Sequence, residues 1–167
     1  MTISSASDKE LRHLTWLIRL FCMIRIPLLA FCWPRIERID SKVAEVSISH
    51  HFLTKNHVRS MYFGALAMGA ELSTAVRLLQ RMKNEKLPLG FIFKDAQFEF
   101  IKRVESDAIF RIEQVSDVDE LIQQGLNSEN RVDKTLSGWV YSKSEPDVIL
   151  MKYSVTLSIK KTKKGLF

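Results

Sequence analysis

The chain has 167 residues, with 25 Lys and Arg against 19 Asp and Glu, a formal charge of +6. Its 46% hydrophobic and 26% charged residues are the composition of a packed globular protein and exclude intrinsic disorder. At this length a single core can bury roughly 70% of the unfolded surface, so neither disulfide nor metal is required. The two cysteines, Cys22 and Cys32, fit a reduced cytoplasmic setting better than a secreted disulfide framework.

Residues 14–33 (LTWLIRLFCMIRIPLLAFCW) are strongly apolar, yet Arg19 and Arg25 lie inside the run and Pro27 interrupts it. A central Arg costs about 2.5–3.5 kcal/mol on insertion, which disfavours a spanning helix. The charge-free stretch is also too short for a signal peptide, and no small-residue cleavage site follows. Leu11, Leu14, Ile18, Phe21 and Cys22 recur at helical spacing. The pattern predicts an amphipathic helix over 8–25 that ends before Pro27. Packing on its own domain is the preferred reading, and lying on a membrane surface is the alternative.

Residues 35–51 read as one long extended segment or two short ones. A polar loop, TKNHVRS, follows. Next comes the central helix, expected over 60–84, with Ser60 as N-cap, basic residues at its far end and a stop before Pro88. Alternating phenylalanines mark strands at 89–93, 98–100 and around 110–112. A short helix is expected near 117–124 with Gly125 as its stop. Strands follow at 132–143 and 147–160, the latter with strict alternation from Ile149 to Ile159. Strands joined mostly by short connections imply an antiparallel sheet. The fold class is therefore α+β, one long helix on a curved antiparallel sheet. Three regions are expected: an N-terminal helix and connector (1–33), the main domain (34–162) and a basic tail (163–167).

The central helix is unusual twice over. Its first half is rich in small residues (Gly64, Ala65, Ala67, Gly69, Ala70), and each Gly costs about 1 kcal/mol against Ala in a helix interior. Close backbone approach, to a sheet or to a ligand, explains such a choice. Second, Glu71 is the only side chain from Met61 to Val76 that is ionised at neutral pH. A carboxylate in apolar surroundings must be solvated, paired (for instance with Arg77) or used. Upstream, the first turn leaves backbone N–H groups free at the positive end of the helix dipole, so the amides near Phe63 and Gly64 suit a developing oxyanion. Phe63 and Glu71 are eight residues, about 12 Å, apart along the axis. One carbonyl cannot meet both on one helix. If both act together, two helices must run antiparallel past each other, which implies a homodimer with two equivalent interfacial sites.

These residues resemble the hotdog-fold superfamily, and more closely the acyl-CoA thioesterases of the phenylacetate-degradation type. The pattern of those enzymes is an Asn, five residues, His-Gly-Gly, six residues ending in Leu or Ala, and an acid. Here Asn56 is followed by HVRSM, Tyr62-Phe63-Gly64, ALAMGA and Glu71. The long N-terminal helix and the Phe-Gly pair are similar to a poorly characterised bacterial branch, a domain of unknown function. The resemblance implies a homodimeric or homotetrameric hydrolase of acyl-CoA or another acyl thioester that uses no cofactor. It implies that Glu71 is the base or nucleophile, that the Phe63 amide polarises the carbonyl beside Gly64, and that Asn56 places the carbonyl or water. Tyr62 replaces the His, and Thr74 or Ser73 is nearest to a Ser/Thr that the family carries after the acid. A protein that binds an acyl chain or thioester without turnover is the alternative, and a membrane-surface interaction protein is a third.

Other chemistries fit less well. His50 and His51 are adjacent on an extended segment and point to opposite faces, and no Cys cluster or HExxH accompanies them, so no metal is expected. His51-Phe52 lacks the proline of a hotdog dehydratase segment. Neither a phosphate loop nor G-x-S-x-G is present. The phenylalanines at 91, 93, 98 and 100 lack interleaved basic residues, so no nucleic-acid partner is expected. Arg59, Lys102 and Arg103 are candidate contacts for a CoA phosphate.

Overall fold

The computed structural model describes residues 7–163. Helix α1 spans Asp8–Arg25. Ser7 and Glu10 form a reciprocal capping box at its start, and Asp8 and Glu10 complement the dipole there. Pro27, which cannot continue α1, opens the single turn α2 (Pro27–Ala30). The extended region resolves into two strands, β1 (Arg35–Ile39) and β2 (Ala44–Ile48). Between them, Asp40 Oδ1 accepts the Lys42 and Val43 N–H groups and forms the turn. The central helix α3 runs Phe63–Glu85, followed by β3 (Leu89–Phe100), β4 (Ala108–Ile112), α4 (Val115–Asn127), β5 (Val132–Ser142) and β6 (Met151–Lys161).

The six strands form one antiparallel sheet in the order β1-β2-β4-β5-β6-β3. Helix α3 packs on β2, β4 and β6, the hotdog arrangement expected. One buried cluster joins α3 to β1, β2, β4 and α1 through residues such as Val46, Phe110, Val76 and Ile18. A second joins its far half to α4 and β6 through Leu78, Leu121 and Leu157.

Four expectations need correction. Ser60 does not cap α3. The N-cap is Tyr62, with no side-chain cap bond, because Ser60 is drawn into a turn with Asn56. Gly125 does not end α4. It lies inside the helix, where an added Cβ would sit 2.5 Å from Ile159 Cδ1, so it serves close helix–sheet packing. The phenylalanine segments 89–93 and 98–100 are one 12-residue strand, whose register shifts between Phe93 and Asp95. Pairing in β6 begins only at Met151, so Ile149 is exposed while Leu150 is buried. The basic tail expected at 163–167 lies, apart from Lys163, outside the described residues.

Candidate functional site

The loop from β2 into α3 fixes the helix start. Tyr62 N–H donates to Thr54 O at 2.7 Å, and Met61 N–H donates to Val104 O at 2.7 Å, tying the loop to itself and to the segment before β4. Asn56 Oδ1 accepts the Val58 and Ser60 N–H groups, and its Nδ2 donates to Ser60 Oγ at 3.0 Å. This Asx-type turn carries Arg59 at φ 65°, a left-handed conformation. Asn56 therefore holds the loop with its carbonyl, while one of its two amide hydrogens has no partner among the described residues.

At the start of α3, the Ala65 and Leu66 N–H groups donate to Tyr62 O. The Phe63 and Gly64 N–H groups donate to nothing among the described residues, so the positive end of the helix is open. The Tyr62 ring leans over this turn. A Cβ on Gly64 would lie 2.6 Å from Tyr62 Cε1, so a side chain here would displace that ring. Phe63 is half-exposed, edge-on to Tyr62 (5.7 Å between centroids) and to Phe100 at the end of β3 (6.4 Å). Beside it opens a cleft of about 360 Å³, lined by Asn56, Phe63, Leu66, Phe100, Lys102 and Arg103. The sequence-level candidates Asn56, Phe63, Lys102 and Arg103 thus meet at one place.

Glu71 lies two turns further along, half-buried, on a different part of the helix surface from that cleft. Its carboxylate has no hydrogen bond or ion pair among the described residues, and burial pushes its pKa above the usual carboxylate value. Arg77, the obvious partner in the sequence, is committed elsewhere: its guanidinium clamps Asp119 of α4 with bonds of 3.0 and 2.8 Å. The apolar cover over Glu71 comes from the N-terminal segment. Cys22 of α1 is buried, and its thiol is pushed up to about 11 by burial first and then by the charges of Glu71 and Cys32. Cys32 Sγ approaches Met68 Sδ at 3.6 Å, one turn before Glu71. Sequence reasoning missed this cover, because no local signal says where α1 docks.

Thr74 and Ser73 are both buried, and both hydroxyls bond back to helix carbonyls. Thr74 Oγ1 donates to Glu71 O and Ser73 Oγ to Ala70 O, each at 2.8 Å. Thr74 thus touches the backbone of Glu71. Ser73 Oγ also lies 2.8 Å from Tyr153 Oη, whose pKa burial raises. Gly69 serves packing: a Cβ there would fall 2.3 Å from the Phe110 ring. His51 Nδ1 accepts the Leu53 N–H at 3.3 Å, and its Nε2 is a buried atom without a partner among the described residues.

With this geometry in place, comparison with protein families gives a match over residues 15–137, to a domain of unknown function, DUF4442. The chain belongs to the DUF4442 family. The match takes in α1 from Thr15 onward, the β2–α3 loop and all of α3, the elements that build the helix start and cover Glu71. A search of curated proteins finds no match. Among solved structures, a Shewanella oneidensis protein superimposes with a TM-score of 0.73 at 12% identity, over 89% of this chain and 99% of that one. A Chlorobaculum tepidum protein of unknown function gives 0.71 at 13% identity, over 91% and 97%. A thioesterase from Haemophilus influenzae gives 0.64 at 11% identity, over 90% and 92%. These similarities place this DUF4442 chain in the hotdog fold.

Proposed function

We propose that the protein hydrolyses an acyl thioester, acyl-CoA being the class its cleft suits, with Glu71 as the base. The observation that carries this reading is Glu71 itself: a half-buried carboxylate with a raised pKa and no partner among the described residues, on a helix whose first two amides donate to none of those residues. A raised pKa brings a carboxylate nearer to the working pH of a general base. Glu71 takes a proton from water as its oxygen attacks the thioester carbonyl. The oxyanion is stabilised by the Phe63 and Gly64 N–H groups. The C–S bond then breaks, and the proton passes to the leaving sulfur, giving a carboxylic acid and a thiol. Lys102 and Arg103, both exposed at the cleft, suit the phosphates of CoA.

Because Phe63 and Glu71 are about 12 Å apart along one helix, the acid and the amides of a working site come from two subunits. Among the described residues the strand β3 is an edge of the sheet, and Phe100 at its end touches Phe63. A second copy joining that edge comes against the helix start.

The test is thiol release from a panel of acyl-CoA thioesters by wild type and Glu71→Gln. The variant is expected to lose about 10²–10⁴ in rate, the usual contribution of a general base. Undiminished hydrolysis in the variant removes Glu71 from this role. The Tyr62 ring over Gly64 favours a second reading, an acyl-thioester-binding protein without turnover. Tight binding of the panel with no thiol release from wild type decides for it.

A further inference from the structure

Helix α1 has two apolar faces. One, with Thr15, Ile18 and Cys22, is buried against the domain. The other carries Trp16, Leu20, Met23 and Ile24 at positions i, i+4, i+7 and i+8, all exposed, with Ile24 at 70%. Leu28, Phe31 and Trp33 extend this face past Pro27, and each is more than half exposed. Phe52 (81% exposed) and Leu53 reach it from the β2–α3 loop. Met23, Phe31, Trp33, Phe52 and Leu53 line a shared apolar groove of about 510 Å³. Aromatic side chains carry about 150–250 Å² apiece. Eight large side chains more than half exposed therefore leave on the order of 700 Å² of apolar surface, above the roughly 300–600 Å² largest patch of an ordinary monomer.

The charges carried by the segments that form this face are positive, with Glu37 and Asp107 at its margins bonded to Arg35 and to the His50 N–H. Between Glu10 and Glu37 the chain has no carboxylate but has Arg12, Arg19, Arg25 and Arg35. The segment from Val46 to Ala70, which contains the β2–α3 loop, likewise has none, and the loop carries Lys55 and Arg59. Except for Arg19, these cations are exposed. Arg19 lies over the Trp33 ring at 4.4 Å, and its Nε donates to Pro34 O. A two-fold self-contact through this face would set Arg12 and Arg25 against their copies, and the segments that form the face carry no carboxylate of their own; Arg35, at its margin, is held by Glu37 at 3.7 Å. An anionic bilayer supplies both the apolar depth and the phosphates. No helix among the described residues is long and apolar enough to cross a membrane, so the fitting mode is to lie at the interface.

We infer that the protein docks on anionic membrane surfaces through α1, α2 and the Phe52-Leu53 loop tip. Trp16 and Trp33 sit at headgroup level, and Arg12 and Arg25 contact lipid phosphate. This inference stands apart from the proposed catalysis and has its own readout. The full chain is floated with vesicles of phosphatidylcholine, alone or with about one third phosphatidylglycerol, at low and high salt. Tryptophan emission is followed in parallel. Binding is expected with the anionic vesicles, at least tenfold tighter than with neutral ones and weakened by salt, with a blue shift. Ile24→Glu with Phe52→Glu, both at exposed positions, should abolish it, and Arg12→Gln with Arg25→Gln should weaken it about tenfold or more. Thermal unfolding of each variant verifies that it is folded. Failure of the wild type to float with anionic vesicles overturns the inference, as does unchanged binding by both folded variants. Self-association of the wild type in solution that Ile24→Glu abolishes, without vesicle binding, overturns it in favour of a second copy.

Discussion

Phe63→Pro removes one backbone N–H from the start of α3 together with the Phe63 ring. Phe63 is the first residue of the helix, where proline is best tolerated, and Tyr62 before it has φ −65° and ψ 138°, the extended conformation that a following proline requires. The Phe63 N–H donates to nothing among the described residues, so no internal bond is broken. The lost ring contacts with Tyr62 and Phe100 are worth about 0.5–1.5 kcal/mol per pair. Phe63→Ala loses the same contacts but keeps the amide, so the comparison of the two variants isolates the N–H. One oxyanion donor contributes about 10²–10³ in kcat. Thiol release should therefore be about 100-fold slower or more in Phe63→Pro than in Phe63→Ala. Their urea unfolding free energies should agree within about 1 kcal/mol. Equal rates at equal stability would refute the role of this amide.

Glu71→Gln should also stabilise the fold at neutral pH. The Glu71 pKa is raised above the ordinary 4.5, so the protonated acid suits the folded state, and stability is lost as pH rises through the folded value. The gain from Gln, measured by urea unfolding across pH, should vanish below about pH 4.5, and a gain that persists in acid contradicts the account. Gly69→Ala gains about 1 kcal/mol of helix propensity but forces a Cβ to 2.3 Å from the fully buried Phe110 ring. Overpacking of about 1–3 kcal/mol should win, and a raised melting temperature would show that the ring yields. Burial pushes the Asp119 carboxyl up, but the hydrogen bonds and charges of Arg77 and Arg81 outweigh it and hold it below the ordinary 3.8. Asp119→Ala strands the buried Arg77 and should cost about 3 kcal/mol at pH 7, near the low end for breaking a buried pair. The cost should fade as pH drops through the folded Asp119 value, and a constant cost across pH would argue against the pairing.

Much of the fold is written in local pattern. The 3.6-residue spacing of Leu11, Leu14, Ile18 and Cys22, with Pro27 behind them, sets α1 within a residue or two. The alternation from Met151 to Ile159 sets β6. Misplaced features depend on partners distant in sequence. Gly125 reads as a stop by residue type, yet it is interior because Ile159 presses on it. Ser60 reads as a cap, but Asn56 competes for it and shifts the helix start to Phe63. At the candidate site, the isolation of Glu71 along α3 was legible in composition alone. The commitment of Arg77 to Asp119 and the cover provided by Cys22 were not, since both depend on how α4 and α1 dock.

The central claim is that one site takes its acid from one subunit and its amides from another, and mixed dimers test it most directly. Glu71→Gln and Phe63→Pro chains, each about 100-fold or more impaired alone, are co-expressed in equal amounts, and thiol release is measured on the mixture. Half of the dimers are then mixed, and one of the two sites in each pairs an intact Glu71 with an intact Phe63 amide. Activity should recover to about one quarter of wild type. Activity that stays at the level of the separate variants, with mixed dimers shown to form, would contradict a site shared between subunits.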